Sequence, residues 1–328
     1  VQLDAPEIRR EDFRVVTRDG IGLRARVVAR VGLPANAPVV VLVHGIAAPL
    51  EPTYDLSVPG YSFLEELASR GLRAIAFDHR NFGKSDRDAR LSQPPTPDPE
   101  GVGVQSLDDS VEDIRAIVQA GRERYGVAQL TLFGSSRGAI QSLATALHIP
   151  DALELCILNN PSALCYLSGA TSGPTLEAMK AERDGARRGE SYLLYTAEYQ
   201  RKRWKKLFGD ATAALVDEEL QETYIAACIA SDEEGSKRTP PVFRVPSEGF
   251  PTRVPLLPLG ALAVPTLIVE AEEVDAAHVA AFFAAVPENR ARLLFIRGSN
   301  HFTLRNARRF ELANIIEAAI FGARATAK

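Results

Sequence analysis

The chain has 328 residues, is 46% hydrophobic, and sets 38 basic against 42 acidic side chains for a formal net charge of -4. That length suits one large domain or a core carrying a sizeable insertion, because single hydrophobic cores stop growing at about 250–300 residues. The slightly acidic balance argues against a nucleic-acid role, since bulk charge shows no excess of basic groups. No apolar run approaches the roughly 18 residues of a membrane span, and Cys156, Cys165 and Cys228 are too few and odd in number for a disulfide framework. A reducing, cytoplasmic interior is the expected compartment. No basic-then-apolar leader opens the chain, and its start at Val1 is compatible with trimming.

In chain order, Phe13–Thr17 and Leu23–Val31 flank the turn Arg18-Asp19-Gly20 and predict an antiparallel hairpin. Apolar, β-branched runs of buried-strand length follow at Val39–Val43, Arg73–Phe77, Gln129–Phe133, Leu153–Leu158, Thr266–Val269 and Arg292–Ile296. Helical periodicity marks Ser62–Ser69, Leu107–Arg124, Ala139–His148, Ala276–Val286 and Ala307–Ile320. The strand-helix alternation predicts an α/β fold, a mostly parallel sheet of about eight strands with an N-terminal antiparallel hairpin. It breaks between Ser162 and Leu262. There the text is charged and helical through Asp232, carries Tyr192, Tyr195, Tyr199, Trp204 and Tyr224, and then turns proline-rich from Pro240 to Pro265. Residues 1–161 and 263–328 are expected to form the core, and residues 162–262 an inserted helical cap with a long irregular return. The proline-rich stretch Leu91–Gln105 is expected on the surface as irregular chain.

The sharpest motif is Gly134-Ser135-Ser136-Arg137-Gly138, which joins the strand Gln129–Phe133 to the helix Ala139–His148. A nucleophilic serine on a strained strand-to-helix turn needs glycine two places before and after it to avoid clashes. The plain alternative, a glycine-rich turn with an incidental serine, does not account for the strand-turn-helix setting. A serine needs a base. Of five histidines, His148 and His278 fall inside helices, whereas His301 stands in Arg297-Gly298-Ser299-Asn300-His301-Phe302, past the last strand and C-terminal to the serine, as the order Ser, acid, His requires.

His44-Gly45-Ile46 directly after the strand Val39–Val43, the turn Phe77-Asp78-His79-Arg80-Asn81-Phe82-Gly83-Lys84-Ser85, and Val264-Pro265-Thr266-Leu267-Ile268-Val269 together resemble the α/β-hydrolase fold family. The resemblance covers Asp12–Pro161 and Ala263–Phe321. It implies an oxyanion hole made by the backbone N–H groups of Ile46 and Arg137, with His44 bracing the loop. It also implies an acid in the loop after the strand Thr266–Val269, where Asp275 is the first candidate, Glu273 the second and Glu272 the third. Asp275 also suits an N-cap of the helix that follows. Asn81 departs from the family's glycine but is a residue type that accepts a left-handed backbone. The family's other acid location, after Leu153–Leu158, holds Asn159 and Asn160 and offers no carboxylate.

The expected activity is a cofactor-independent serine hydrolase in which Ser136 attacks an acyl carbonyl, His301 serves as base and then acid, and Asp275 or Glu273 orients it. A serine at the elbow separates the chain from the dehalogenase and epoxide-hydrolase branches that the resemblance would otherwise admit. The expected partner is a small, largely apolar ester, lactone or acyl substrate, met by the cap's aromatics and by the loop Ala47–Gly60 with Glu51, Tyr54 and Asp55. A second copy of the chain is the candidate protein partner. Arg137 has two readings, a salt bridge or a hold on a substrate anion. Gly83-Lys84-Ser85 and Gly101-Val102-Gly103 lack the glycines of nucleotide-binding loops, the basic run Arg201–Lys206 reads as a solvated face, and no spacing suggests a metal. The alternatives are a lyase or cyclase of the same fold that uses His301 and the oxyanion hole for proton transfer, and a silent ligand-binding member.

Overall fold

The computed structural model describes residues 6–97, 103–161, 190–208, 218–249, 257–271 and 276–326. In chain order its main elements are β1 (Ile8–Val16), β2 (Gly22–Arg30), β3 (Val39–Val43), α1 (Leu50–Tyr54), α2 (Phe63–Ser69), β4 (Arg73–Phe77), α3 (Leu107–Tyr125), β5 (Leu130–Ser135), α4 (Arg137–His148) and β6 (Leu153–Asn159). They continue as β7 (Tyr192–Thr196), α5 (Ala197–Phe208), α6 (Glu218–Ala230), β8 (Val242–Pro246), β9 (Thr266–Ala271), α7 (Ala276–Ala285), β10 (Ala291–Ile296) and α8 (Arg309–Thr326).

Eight strands form one sheet in the order β1-β2-β4-β3-β5-β6-β9-β10. The β1–β2 hairpin and the β2–β4 pair are antiparallel, and the remaining pairs are parallel. Central strands buried on both faces are predominantly apolar, and every residue of β3 and β4 is buried, Arg73 at the start of β4 included. Alternation then assigns the layers. Val39, Val41 and Val43 pack with Ile114 and Ile117 of α3 and Ile140 and Leu143 of α4, whereas Val40 and Leu42 pack with Leu64 and Leu67 of α2 and Leu312 and Ile316 of α8. Helix α3 starts from a reciprocal cap: Ser106 Oγ accepts from the Asp109 N–H at 3.1 Å, and Asp109 Oδ2 accepts from the Ser106 N–H at 2.8 Å.

One stretch differs from what the sequence predicts, and a second does more than it predicts. Between β6 and β9 the described residues hold helices α5 and α6, but also an antiparallel strand pair, with Tyr192 opposite Pro246 and Thr196 opposite Val242. The segments Tyr192-Leu193-Leu194-Tyr195-Thr196 and Val242-Phe243-Arg244-Val245-Pro246 have the aromatic and β-branched content that favours strands. Each is too short to announce a partner so far along the chain. The proline-rich stretch after Leu91, expected on the surface as irregular chain, is exposed at Ser92, Gln93, Pro94, Thr96 and Pro97 and in addition props this unit. The Ser191 N–H donates to the Thr96 carbonyl at 2.9 Å, the Val104 N–H to the Ser247 carbonyl at 2.9 Å, and the Ser247 N–H to the Ser191 carbonyl at 3.2 Å. Arg244 locks the neck further: its guanidinium binds Asp232 and reaches the Leu91 carbonyl at 2.6 Å, with all three residues buried. Among the described residues no helix is long and apolar enough to cross a membrane.

Candidate active site

Ser136 sits between β5 and α4 with φ 57° and ψ -119°. A non-glycine residue held at positive φ costs on the order of 1–3 kcal/mol and persists only where its surroundings fix it. The surroundings here are specific. A Cβ on Gly134 would strike the Gly138 carbonyl, and a Cβ on Gly138 would strike the Val43 carbonyl at the end of β3. The two glycines of the motif therefore let the turn fold back on itself and against the neighbouring strand. The Ser136 N–H is held by the Asn159 carbonyl at 2.9 Å.

His301 Nε2 lies 3.0 Å from Ser136 Oγ. The loop that carries it is built from side chains that bond to backbone. Asn300 Oδ1 accepts from the Phe302 N–H at 3.0 Å, and Thr303 Oγ1 donates to the Asn300 carbonyl at 2.9 Å. Asn160, left-handed at φ 45°, reaches this loop from the end of β6: its Nδ2 faces the carbonyls of Asn300 and His301, each at 3.2 Å. Its Oδ1 accepts from the N–H of Ala271, the last residue of β9, at 2.8 Å. One side chain thus ties the histidine loop to the strand that leads into the predicted acid loop. Burial, with the positive charges of Arg203 and Arg305, holds the His301 pKa down to about 4. The imidazole is neutral at pH 7 and, in the tautomer protonated on Nδ1, offers Nε2 to the serine proton.

The β3 end approaches closely. A Cβ on Gly45 would stand only 3.3 Å from both Ser136 Cβ and the Ser135 carbonyl. His44 is buried and braces this turn, with Nδ1 2.7 Å from the Gly45 carbonyl and Nε2 accepting from the His79 N–H at 3.1 Å. Burial, together with His79, lowers its pKa to about 3, which suits a neutral strut. Below it, Asp78 accepts from the Leu50 and Lys84 N–H groups at 2.8 and 3.0 Å, and Asn81 has the left-handed φ of 72° that its residue type tolerates.

Asp275, Glu273 and Glu272 lie outside the described residues. Glu270, one residue before the end of β9, is buried, and burial pushes its carboxyl pKa up to about 8.

The loop after β3 contributes differently from expectation. Ala47, Ala48 and Thr53 line the cavity beside Ser136, but Glu51, Tyr54 and Asp55 face away from it. Tyr54 Oη donates to the Val43 carbonyl at 2.6 Å, Asp55 binds Ser62 and Arg26, and Glu51 pairs with Arg24. Turning Leu50–Tyr54 into a helix sends these side chains under the loop. The far wall comes from α5, α6 and the histidine loop. Trp204 stacks on Phe302 at 5.2 Å and 10°, Tyr224 meets Trp204 edge-on at 5.1 Å, and Arg203 and Arg305 line the same cavity. The cavity, partly open to solvent, has a volume of about 40 Å³.

The basic run Arg201–Lys206 is therefore not one solvated face. Arg201 and Lys202 pair with Glu222 and Glu198 outside, whereas Arg203 turns inward. Arg137 lines a smaller neighbouring pocket with His44, His79 and Gln141. Sequence reasoning missed Arg305 and Asn160. The former stands four places after His301, and the latter in the position noted only for lacking a carboxylate. Among the described residues no group of three or more His, Cys, Asp or Glu side chains is arranged to hold a metal ion.

A family model described as the alpha/beta hydrolase fold matches residues 38–305. Solved structures of similar fold include the carboxylesterase CesB from Bacillus subtilis (17% identity, 96% of this chain and 92% of that one, TM-score 0.60). A proline iminopeptidase from Mycobacterium smegmatis (14% identity, 97% and 100%, TM-score 0.62) and a thioesterase domain from the curacin biosynthetic pathway (18% identity, 94% and 99%, TM-score 0.59) are similar in the same way. No curated protein matches the sequence.

Proposed function

The chain belongs to the α/β hydrolase fold family, and within it we propose a cofactor-independent serine hydrolase that cleaves an ester, lactone or related acyl bond of a small molecule. The observation that carries this reading is the 3.0 Å approach of His301 Nε2 to Ser136 Oγ at a strained elbow. Ser136 Oγ attacks the acyl carbon as His301 takes its proton. The carbonyl π electrons move to oxygen, where the N–H groups of Ile46 and Arg137 stabilise the charge, at about 10²–10³ in rate per donor. Collapse expels the alcohol, which takes the proton from His301. Water then repeats the sequence on the acyl-enzyme and restores the serine. Asp275, or failing it Glu273, orients the imidazole. Residues 162–262 act as a cap over the acyl pocket, and the free, buried thiols of Cys156 and Cys228 agree with a reducing, cytoplasmic setting.

The test is intact and peptide mass after exposure to a small fluorophosphonate, on the native protein, Ser136→Ala and His301→Ala. One adduct on Ser136, absent from both variants, is expected. A folded native protein that stays unlabelled, while converting a substrate without taking up water, would replace this reading with the lyase or cyclase one.

A further inference from the structure

The protein's buried arginines show how it treats a cation taken out of water. Arg24 pairs with Asp12, Arg80 with Asp113 and Arg244 with Asp232. Arg73 donates to the carbonyls of Pro34, Ala35 and Ala37, and Arg309 to those of Gly60 and Asn306. Arg305 breaks this rule. It is 8% exposed, its Nε is buried with no hydrogen-bond partner, and its guanidinium meets no acceptor among the described residues. It rests instead over aromatic faces, with Cζ 4.2 Å from the centroid of Tyr224 and 5.3 Å from that of Phe302. Arg203 shares the cavity, lies over Tyr195 at 5.8 Å, and likewise has no acid partner among the described residues.

Two cations on one small cavity repel each other, and aromatic contact replaces only part of the hydration each has lost. An arrangement of this kind is stable in company with an anion, and guanidinium forks suit the two oxygens of a carboxylate. Ser136 and His301 line the same cavity. Resting on the serine-hydrolase reading above, we infer that Arg203 and Arg305 form a subsite for a carboxylate borne by the substrate, so that the natural substrate is a small, anionic acyl compound such as the half-ester of a short dicarboxylic acid.

The subsite would also reach the chemistry. Acylation makes His301 an imidazolium, and the positive charges of Arg203 and Arg305 disfavour that form. A bound carboxylate offsets them when the proton moves, so removing it lowers kcat as well as raising KM.

The experiment compares monomethyl with dimethyl esters of succinic, glutaric and adipic acid, which at each chain length exchange one carboxylate for its neutral methyl ester, with rates taken per ester bond. The native protein is expected to favour the monomethyl ester at one length by ~100-fold or more in kcat/KM. Arg305→Gln and Arg203→Gln should each cut that ratio at least ~10-fold, and Arg305→Lys should restore part of it. In parallel, glutarate should raise the melting temperature of Ser136→Ala and fail to raise that of Ser136→Ala/Arg305→Gln. A native protein that takes the fluorophosphonate and hydrolyses dimethyl esters, yet shows no preference for the charged ester at any length, overturns the subsite while leaving the serine mechanism standing. If no ester is cleaved and no label taken, the serine mechanism fails. The glutarate shift then decides the subsite alone, and its absence overturns it.

Discussion

The two sides of the site are held in opposite ways. On the sheet side, Ser136, His44 and the His301 loop are fixed by hydrogen bonds to backbone: the Asn159 carbonyl behind the serine, the side chains of Asn160 and Asn300 around the histidine loop, and Asp78 under the turn after β3, with only single atoms such as Asn159 Oδ1 and Asn300 Nδ2 left unbonded among the described residues. On the opposite side, α5, α6 and the residues after His301 present a stacked Trp204–Phe302 pair and two arginines without acid partners among the described residues. Reactive atoms need geometry good to fractions of an ångström, which short, satisfied backbone contacts provide. A wall that receives a ligand is better left incomplete, because its unmet bonding is what the ligand supplies.

The strongest way to break that contrast is Ser136→Ala. Removing the nucleophile is expected to lower turnover by ~10⁴-fold or more with little change in melting temperature, as measured by ester hydrolysis and calorimetry. Next comes the acid. Of Asp275→Asn, Glu273→Gln and Glu272→Gln, the first is expected to lower kcat by ~10³-fold or more while the others change it little. A loss in Glu273→Gln instead would move the role there. A smaller effect tests the sheet side directly. Asn160→Ala is expected to reduce kcat by ~10–100-fold, because it frees the histidine loop from β9. Its stability loss should be about 1–3 kcal/mol for the lost buried bonds, and KM should hold steady.

The mildest test is pH. In the proposed mechanism the neutral imidazole is the active form, and burial with the charges of Arg203 and Arg305 holds its pKa down to about 4, so kcat/KM on a neutral ester should stay level from pH 7 down to about 5 and fall as the pH drops through about 4. The same group opposes folding in acid. Its folded pKa is below the unfolded value of about 6.5, so the unfolded chain binds more protons between the two and stability falls as pH is lowered through that window. His301→Gln should lose less stability than the native protein between pH 6.5 and 4. An acid limb of the rate profile near pH 6.5 would instead show that the triad acid offsets burial and the charges of Arg203 and Arg305.

Much of the sheet side was legible in the sequence. The elbow is a local pattern: two glycines whose Cβ atoms would strike carbonyl oxygens flank a serine, and the strand before and the helix after fall within the same short window. His301 was legible from its position past the last strand. Six of the eight strands followed from apolar runs of buried-strand length, and the other two from the turn signal between β1 and β2. The opposite wall was not legible. β7 and β8 pair across a long separation, Arg203 differs from Arg201 and Lys202 only in the face of α5 it occupies, and Arg305 has meaning only once Tyr224 arrives beneath it. Asn160 was visible as a missing carboxylate, whereas its value lies in bonds to two loops that the sequence does not bring together.

The neck at Ser191 and Ser247 has a practical consequence. Where the chain leaves towards β7 and where it returns after β8, the two backbones are hydrogen-bonded neighbours at 3.2 Å. Everything between them is a cassette whose ends already meet. A two-residue turn joining those ends would delete Arg203, Trp204 and Tyr224 together without cutting β5, α4 or the histidine loop, and a foreign insert whose termini are equally close could be set in the same place.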